Sequence, residues 1–173
     1  MTVVVVNDAS CLIDLRKGRL LRALLRLPLR FVVPLPVRES ELLDFSSEDW
    51  EILEKGGMEI HDLPPGQVAE AFAFKRRFGG LSANDCFCLV AARSFGESIL
   101  LTGDARLRKI AENEGVRVHG VLWVVDRLAL KGVCGRPTLI KALEAWKSDR
   151  SVFLPRNLID ERLRELRKRT DRQ

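Results

Sequence analysis

Hydrophobic positions in this chain follow two rhythms that alternate along its length. Val3-Val4-Val5-Val6 is a run of four β-branched residues with no polar position between them. That is the pattern of a strand buried on both faces. It stops in Asn7-Asp8-Ala9-Ser10, and a helical pattern follows to about Arg26, with Leu12, Leu15, Leu20, Leu21, Leu24 and Leu25 on its apolar side. Gly18 is where that helix divides in two. Phe31-Val32-Val33 is a second short strand closed by Pro34, and Pro36 opens a helix over 37–43 that carries Glu39 and Glu41. Residues 46–55 read as a further helix or an irregular surface stretch, Gly56-Gly57 as a turn, and 58–63 as a third strand. Helices are expected over 66–78 and 83–95, a strand over 98–102, a helix over 105–114 stopped by Gly115, and a fifth strand over 116–119. Everything after Gly120 reads as helix, over 121–131, 138–147 and 157 to about 168, with a frayed tail beyond. Strands alternating with helices predict an α/β domain built on a mainly parallel sheet.

Composition narrows the class. A chain of 173 residues with 46% hydrophobic content is one compact domain, with room for a C-terminal extension. No apolar run reaches the roughly 18 residues that span a bilayer, and the valine run lacks the cationic flank of a signal peptide. The expectation is a cytoplasmic protein with no membrane partner. Cys11, Cys86, Cys88 and Cys134 show no CxxC spacing, and only His61 and His119 could assist a zinc site. Buried free thiols are the simpler reading, with Cys86 and Cys88 on roughly opposite sides of one helix. The net charge of +5 is a mild bias towards polyanions, without the interleaved aromatic and basic residues of a single-strand stacking platform. Gly79-Gly80-Leu81-Ser82 lacks the GK[ST] of a phosphate loop, and there is neither GxGxxG nor GxSxG. His119 follows a strand without an evident partner, which favours a structural role.

The chemistry lies in the carboxylates. Asp8 follows the first strand and Asp104 the fourth, so both belong at the C-terminal edge of the sheet, where open α/β sheets bind ligands. Asp85 lies in the first turn of the helix opened by Ser82 and joins them if that helix starts on the same side. Glu41, or Glu39, is the fourth candidate. Clustered carboxylates stay ionised together when a cation neutralises them. All-oxygen ligands without sulfur or imidazole select Mg²⁺ or Mn²⁺, ions that drive phosphodiester hydrolysis. Each residue also has a plain structural reading. Asp8 and Asp104 are good N-caps, and Ser82-Ala83-Asn84-Asp85 has the form of a capping box.

The order of these residues resembles the PIN-domain family, and within it the ribonuclease toxins of VapC type and their prokaryotic relatives. The resemblance rests on Asn7-Asp8-Ala9-Ser10, on Glu41-Leu42-Leu43 after the Phe-Val-Val-Pro strand end, on Leu81-Ser82-Ala83-Asn84-Asp85, and on Leu101-Thr102-Gly103-Asp104-Ala105-Arg106-Leu107. It extends through Gly115–Trp123. It implies a three-layer α/β/α sandwich with a parallel five-stranded sheet over residues 1–130, and a C-terminal helical extension over 131–173 packed on the same domain. It also implies Mg²⁺- or Mn²⁺-dependent cleavage of RNA through Asp8, Glu41, Asp85 and Asp104, with Glu39 the alternative second acid. Ser10 and Thr102 match small hydroxyl residues close to the metal. Arg108 stands where many toxin relatives carry a further acid. The expected partners are an RNA substrate, an antitoxin protein and a second copy of the chain. The competing expectation is a catalytically silent module that binds RNA or a protein.

Overall fold

A computed structural model of the chain describes residues 2–168. Its elements run β1 (Val4–Asn7), α1 (Ala9–Lys17), α2 (Leu21–Leu24), β2 (Arg30–Pro34), α3 (Leu35–Ser40), α4 (Ser47–Lys55), β3 (Glu59–His61), α5 (Pro65–Arg77), α6 (Ala83–Ser94), β4 (Ser98–Leu101), α7 (Ala105–Asn113), β5 (Arg117–His119), α8 (Val121–Lys131), α9 (Arg136–Ser148) and α10 (Arg156–Lys168). The expected frayed tail lies outside the described residues.

The five strands form one sheet of order β3-β2-β1-β4-β5, parallel at every pairing. Both neighbours of β1 are in register with it, Val5 opposite Phe31 on one side and Ile99 on the other. Helices flank the sheet in a three-layer α/β/α arrangement. α6 lies against β1, β2 and β4 with α5 and α7 beside it, while α1, α2, α8 and α9 contact one another in a second layer. This explains the unbroken valines, since Val4, Val5 and Val6 form β1 with Asn7 and all of them are buried. Each such valine sheltered from water stabilises the fold by about 1.5–3 kcal/mol before entropy is counted.

The chain winds from β1 to β2 and β3 in one direction and from β4 to β5 in the other. β1 and β4 are therefore neighbours whose helices leave towards opposite edges, which opens a crevice at their C-terminal ends. The junctions at that crevice are short. Asp8 caps α1 directly after β1, and Thr102-Gly103-Asp104 connects β4 to α7.

One local expectation is corrected. The helix expected over 37–43 spans Leu35–Ser40 instead, with Glu41 as its C-cap. It ends there because Leu42 turns into the core while Leu43 stays in water. Cys86 and Cys88 are both buried as free thiols, although they lie on different sides of α6. Every residue from Cys86 to Ala92 is buried, because α6 is covered all round as a core helix. The apolar residues after Gly120 divide between core and surface. Leu128 and Trp146 are core, whereas Leu130 is 73% and Phe153 91% exposed.

The C-terminal helices are tied to the domain at particular points. Trp146 is buried and its Nε1 donates to the carbonyl of Asp14 at 2.7 Å, joining α9 to α1. Arg162 on α10 holds Asp126 on α8 through two bonds of 2.8 and 2.7 Å. Among the described residues no helix is long and apolar enough to cross a membrane.

Candidate active site

Asp8 is the buried centre of the crevice, only 5% exposed. Its Oδ1 accepts the N–H of Ala9 at 2.8 Å, as an N-cap does. Its Oδ2 accepts two hydroxyls, Ser10 Oγ at 2.9 Å and Thr102 Oγ1 at 2.7 Å. Each hydroxyl in turn accepts a backbone N–H from the β4–α7 junction, Ser10 from Gly103 at 3.0 Å and Thr102 from Asp104 at 3.1 Å. Two relays thus run from the backbone of that junction, through a hydroxyl, to one carboxylate oxygen. They lock the loop carrying Asp104 over Asp8, which is the role of the two small hydroxyl residues in this structure. A carboxylate offers about four lone-pair directions. Three are occupied in Asp8, which leaves one on Oδ1.

Asp104 caps α7, its Oδ1 accepting the N–H of Leu107 at 2.7 Å. Asp85 completes the capping box, with Oδ2 accepting the N–H of Ser82 at 2.6 Å while Ser82 Oγ accepts the N–H of Asp85 at 3.0 Å. The structural readings of these aspartates therefore hold, and Asp85 and Asp104 each still have an oxygen to spare. The Glu41 backbone N–H donates to the Val37 carbonyl at 3.0 Å, while its carboxylate makes no hydrogen bond or ion pair among the described residues. It is brought to the site by its neighbour. Asn84 Nδ2 donates to Ser40 Oγ at 2.7 Å, so the end of α3 and the start of α6 are fastened together.

The electrostatics show which acids face one another. Burial drives the Asp8 carboxyl up to about 6, against the pull of the Thr102 and Ser10 hydroxyls, and the charges of Glu41 and Asp85 push it further up. α6 does start on the side of the crevice, and of the two candidate glutamates it is Glu41, just past the end of α3, whose charge reaches Asp8. The buried thiol of Cys88 lies beneath the same three acids, and with burial they raise its pKa well above the ordinary value. All four cysteines are free; Cys11, Cys86 and Cys88 are buried and Cys134 is half-buried.

Among the described residues no three His, Cys, Asp or Glu side chains stand close enough together to hold a metal ion. The physical reason is in the caps. Asp8, Asp85 and Asp104 are each held by the first turn of a different helix, and Glu41 is exposed beyond the end of α3. The donor set fits a hard divalent cation in kind, being carboxylate oxygen throughout with no accessible sulfur.

Sequence reasoning missed two features. One is the Ser40–Asn84 bond, whose signal was only a polar pair beside the two acidic motifs. The other is the flank formed by Arg108 and the segment after α9. Arg108 reaches back under the crevice, its guanidinium 3.4 Å from the Thr102 carbonyl and 3.3 Å from that of Val118. His119 stacks flat on Trp123 with ring centroids 4.7 Å apart, and burial together with Arg108 and Arg117 lowers its pKa, as befits a packed neutral imidazole.

A family model described as a PIN domain matches residues 4–168. Comparison with curated proteins gives no match. The match covers nearly the whole chain, and the fold has the parallel sheet and the acid-bearing crevice described above. The chain belongs to the PIN-domain family.

Proposed function

We propose that this nuclease-type domain is a Mg²⁺- or Mn²⁺-dependent endoribonuclease, the toxin half of a toxin–antitoxin pair. One observation carries the reading. At the switch point of the sheet, Asp8 is buried beside two further acids and fixed by two hydroxyl relays to the loop that bears Asp104. A carboxylate held near pH 6 by burial and by Glu41 and Asp85 is an arrangement set against its own ionisation, which is common where a cation is to be received.

Asp8, through its remaining Oδ1 lone pair, and Glu41, Asp85 and Asp104, through their uncommitted oxygens, are the residues that would hold the ion. When bound, such an ion polarises a phosphate oxygen and lowers the pKa of a water for attack. The chain's own part is positional. Ser10 and Thr102 hold the Asp8 oxygens at a fixed angle, Ser82 orients Asp85, and the Ser40–Asn84 bond keeps the end of α3, and Glu41 with it, beside them. In this reading the nuclease part is residues 1–130, with 131–173 as its extension. It acts in the cytoplasm, where buried free thiols stay reduced. Exposed Leu43, Phe72 and Leu130 offer apolar surface to an antitoxin or to a second copy.

The spread of the acids favours a second reading, a catalytically silent PIN module that binds RNA or a protein. Titration separates the two. An ion that binds only the native state raises the melting temperature, by about 2.7 kcal/mol of added stability at a hundred times its Kd. The nuclease reading expects this rise with Mn²⁺, its reversal by EDTA, and cleavage of a mixed RNA that depends on Mn²⁺. No melting shift and no cleavage at millimolar Mn²⁺ would refute it.

A further inference from the structure

Beside the crevice is a cavity of about 580 Å³ that joins the acidic edge to the C-terminal segment. One end is built from Ser10, Thr102, Gly103 and Arg108, the residues that secure Asp8 and its loop. The other end is built from Asp14 on α1 and from Phe153 and its neighbours between α9 and α10. Its size is that of a small-molecule or single-nucleotide site rather than of a packing defect.

The two ends differ chemically. Arg108 donates to two backbone carbonyls, which orient the guanidinium without neutralising it, and its ion pair with Glu112 is loose at 3.8 Å. Arg162, which also lines the cavity, is by contrast fully engaged by Asp126. Arg108 is thus the cation with charge to offer, and it stands directly against the hydroxyl relays of the acidic site. At the far end Phe153 is held in water although it borders an apolar cavity. Asp14 there carries a carboxylate that repels any anion placed near it. A ligand that satisfies both ends has a negative group at the Arg108 end and a flat, uncharged ring at the Phe153 end.

We propose that this cavity is the subsite for the nucleotide adjoining the scissile phosphate of an RNA strand, with its phosphate on Arg108 and its base against Phe153. The inference rests on the nuclease reading above and adds to it. Arg108 acts there as a built-in cation, and so binds substrate rather than metal. Guanidinium–phosphate bonds are strong and directional, and base–aromatic stacking tolerates any base because every base has a π-face. The cavity therefore contributes affinity and strand direction more than sequence choice.

The test uses the full chain and a short fluorescein-labelled RNA with 2′-O-methyl groups throughout, which cannot be cut, followed by fluorescence anisotropy in EDTA and again with Mn²⁺. Wild type should bind. Arg108→Ala should weaken binding about tenfold and flatten the salt dependence by about one phosphate contact, and Arg108→Lys should restore the salt slope. Phe153→Ala should weaken binding several-fold without changing that slope, and its melting temperature should match wild type because the ring is in water. Failure of wild type to bind in either condition, or equal binding by both alanine variants, overturns the proposal. So does loss of a co-purifying protein on Phe153→Ala with RNA binding unchanged, since the cavity is then a protein-docking site. Cleavage of unmodified RNA is measured in parallel. Binding that depends on Arg108 and Phe153 in a chain that never cleaves would sink the nuclease reading and leave the subsite standing. Cleavage by wild type with both variants binding normally would do the reverse.

Discussion

Replacing Asp8 by asparagine tests the electrostatics of the site without RNA or metal. The Asp8 carboxyl rises from 3.8 to about 6 in the folded chain, chiefly through burial. A shift of about two units corresponds to about 3 kcal/mol of differential stability. The sign follows from proton counting. Between pH 4 and 6 the folded chain holds the Asp8 proton more tightly than the unfolded chain does, so stability falls as pH rises through that window and stays reduced above it. Asparagine is uncharged throughout and escapes this loss. Its cost is in the relays, because Nδ2 cannot accept from Ser10 and Thr102 as Oδ2 does, and turning those hydroxyls costs about 1 kcal/mol. Asp8→Asn should therefore be slightly less stable than wild type near pH 4 and about 2 kcal/mol more stable near pH 8. At roughly 2–4 °C per kcal/mol for a chain of this size, that is about 4–8 °C in melting temperature. Urea denaturation in EDTA across that pH range measures it. The raised pKa of Asp14 and the lowered pKa of Asp149 and Asp160 tilt both proteins alike and cancel in the difference. A difference that stays flat from pH 4 to 8 would refute the claim that Asp8 is a buried, repelled carboxylate.

Other expectations follow from single contacts. Asp104→Asn keeps an N-cap of about equal strength for Leu107 and should melt like wild type in EDTA, yet lose Mn²⁺-dependent RNA cleavage because the charge is gone; equal cleavage would make Asp104 a cap and nothing more. Trp146→Ala empties a buried site and frees the Asp14 carbonyl, and should cost about 3–5 kcal/mol in urea unfolding. Gly18→Ala should also destabilise, since a Cβ there comes within 2.9 Å of the Trp146 ring, which is packed and cannot swing away; calorimetry showing no loss would mean that α1 and α9 shift apart freely.

Pattern alone determined a large part of this protein. A short unbroken run of β-branched residues reads as a strand covered on both faces, and that requirement, met by Val4-Val5-Val6 in β1 and repeated in Phe31-Val32-Val33 and Ile99-Leu100-Leu101, calls for helices on both sides of a parallel sheet. The stops were equally local. Gly115, with φ +80°, lies just past the C-cap of α7 in a backbone geometry that glycine adopts without strain. The aspartates could be named for the same reason, since a polar residue between a strand and a helix has few places to go. What the sequence left open depends on distance through space. Glu39 and Glu41 are both acids in the one short segment after β2, and only the structure, which ends α3 at Ser40 and fastens it to Asn84, makes Glu41 the one whose charge reaches Asp8. Whether α6 begins at the crevice follows from strand order, because β4 returns beside β1 rather than beyond β3. The spread of the acids has the same origin. Each aspartate is held by its own helix cap, and the separation of three helix ends is set by sheet spacing and twist, which no local pattern records. The cavity beside them closes only because Trp146 binds α9 to α1, bringing a segment nearly fifty residues downstream of Asp104 back over the edge where β1 and β4 end.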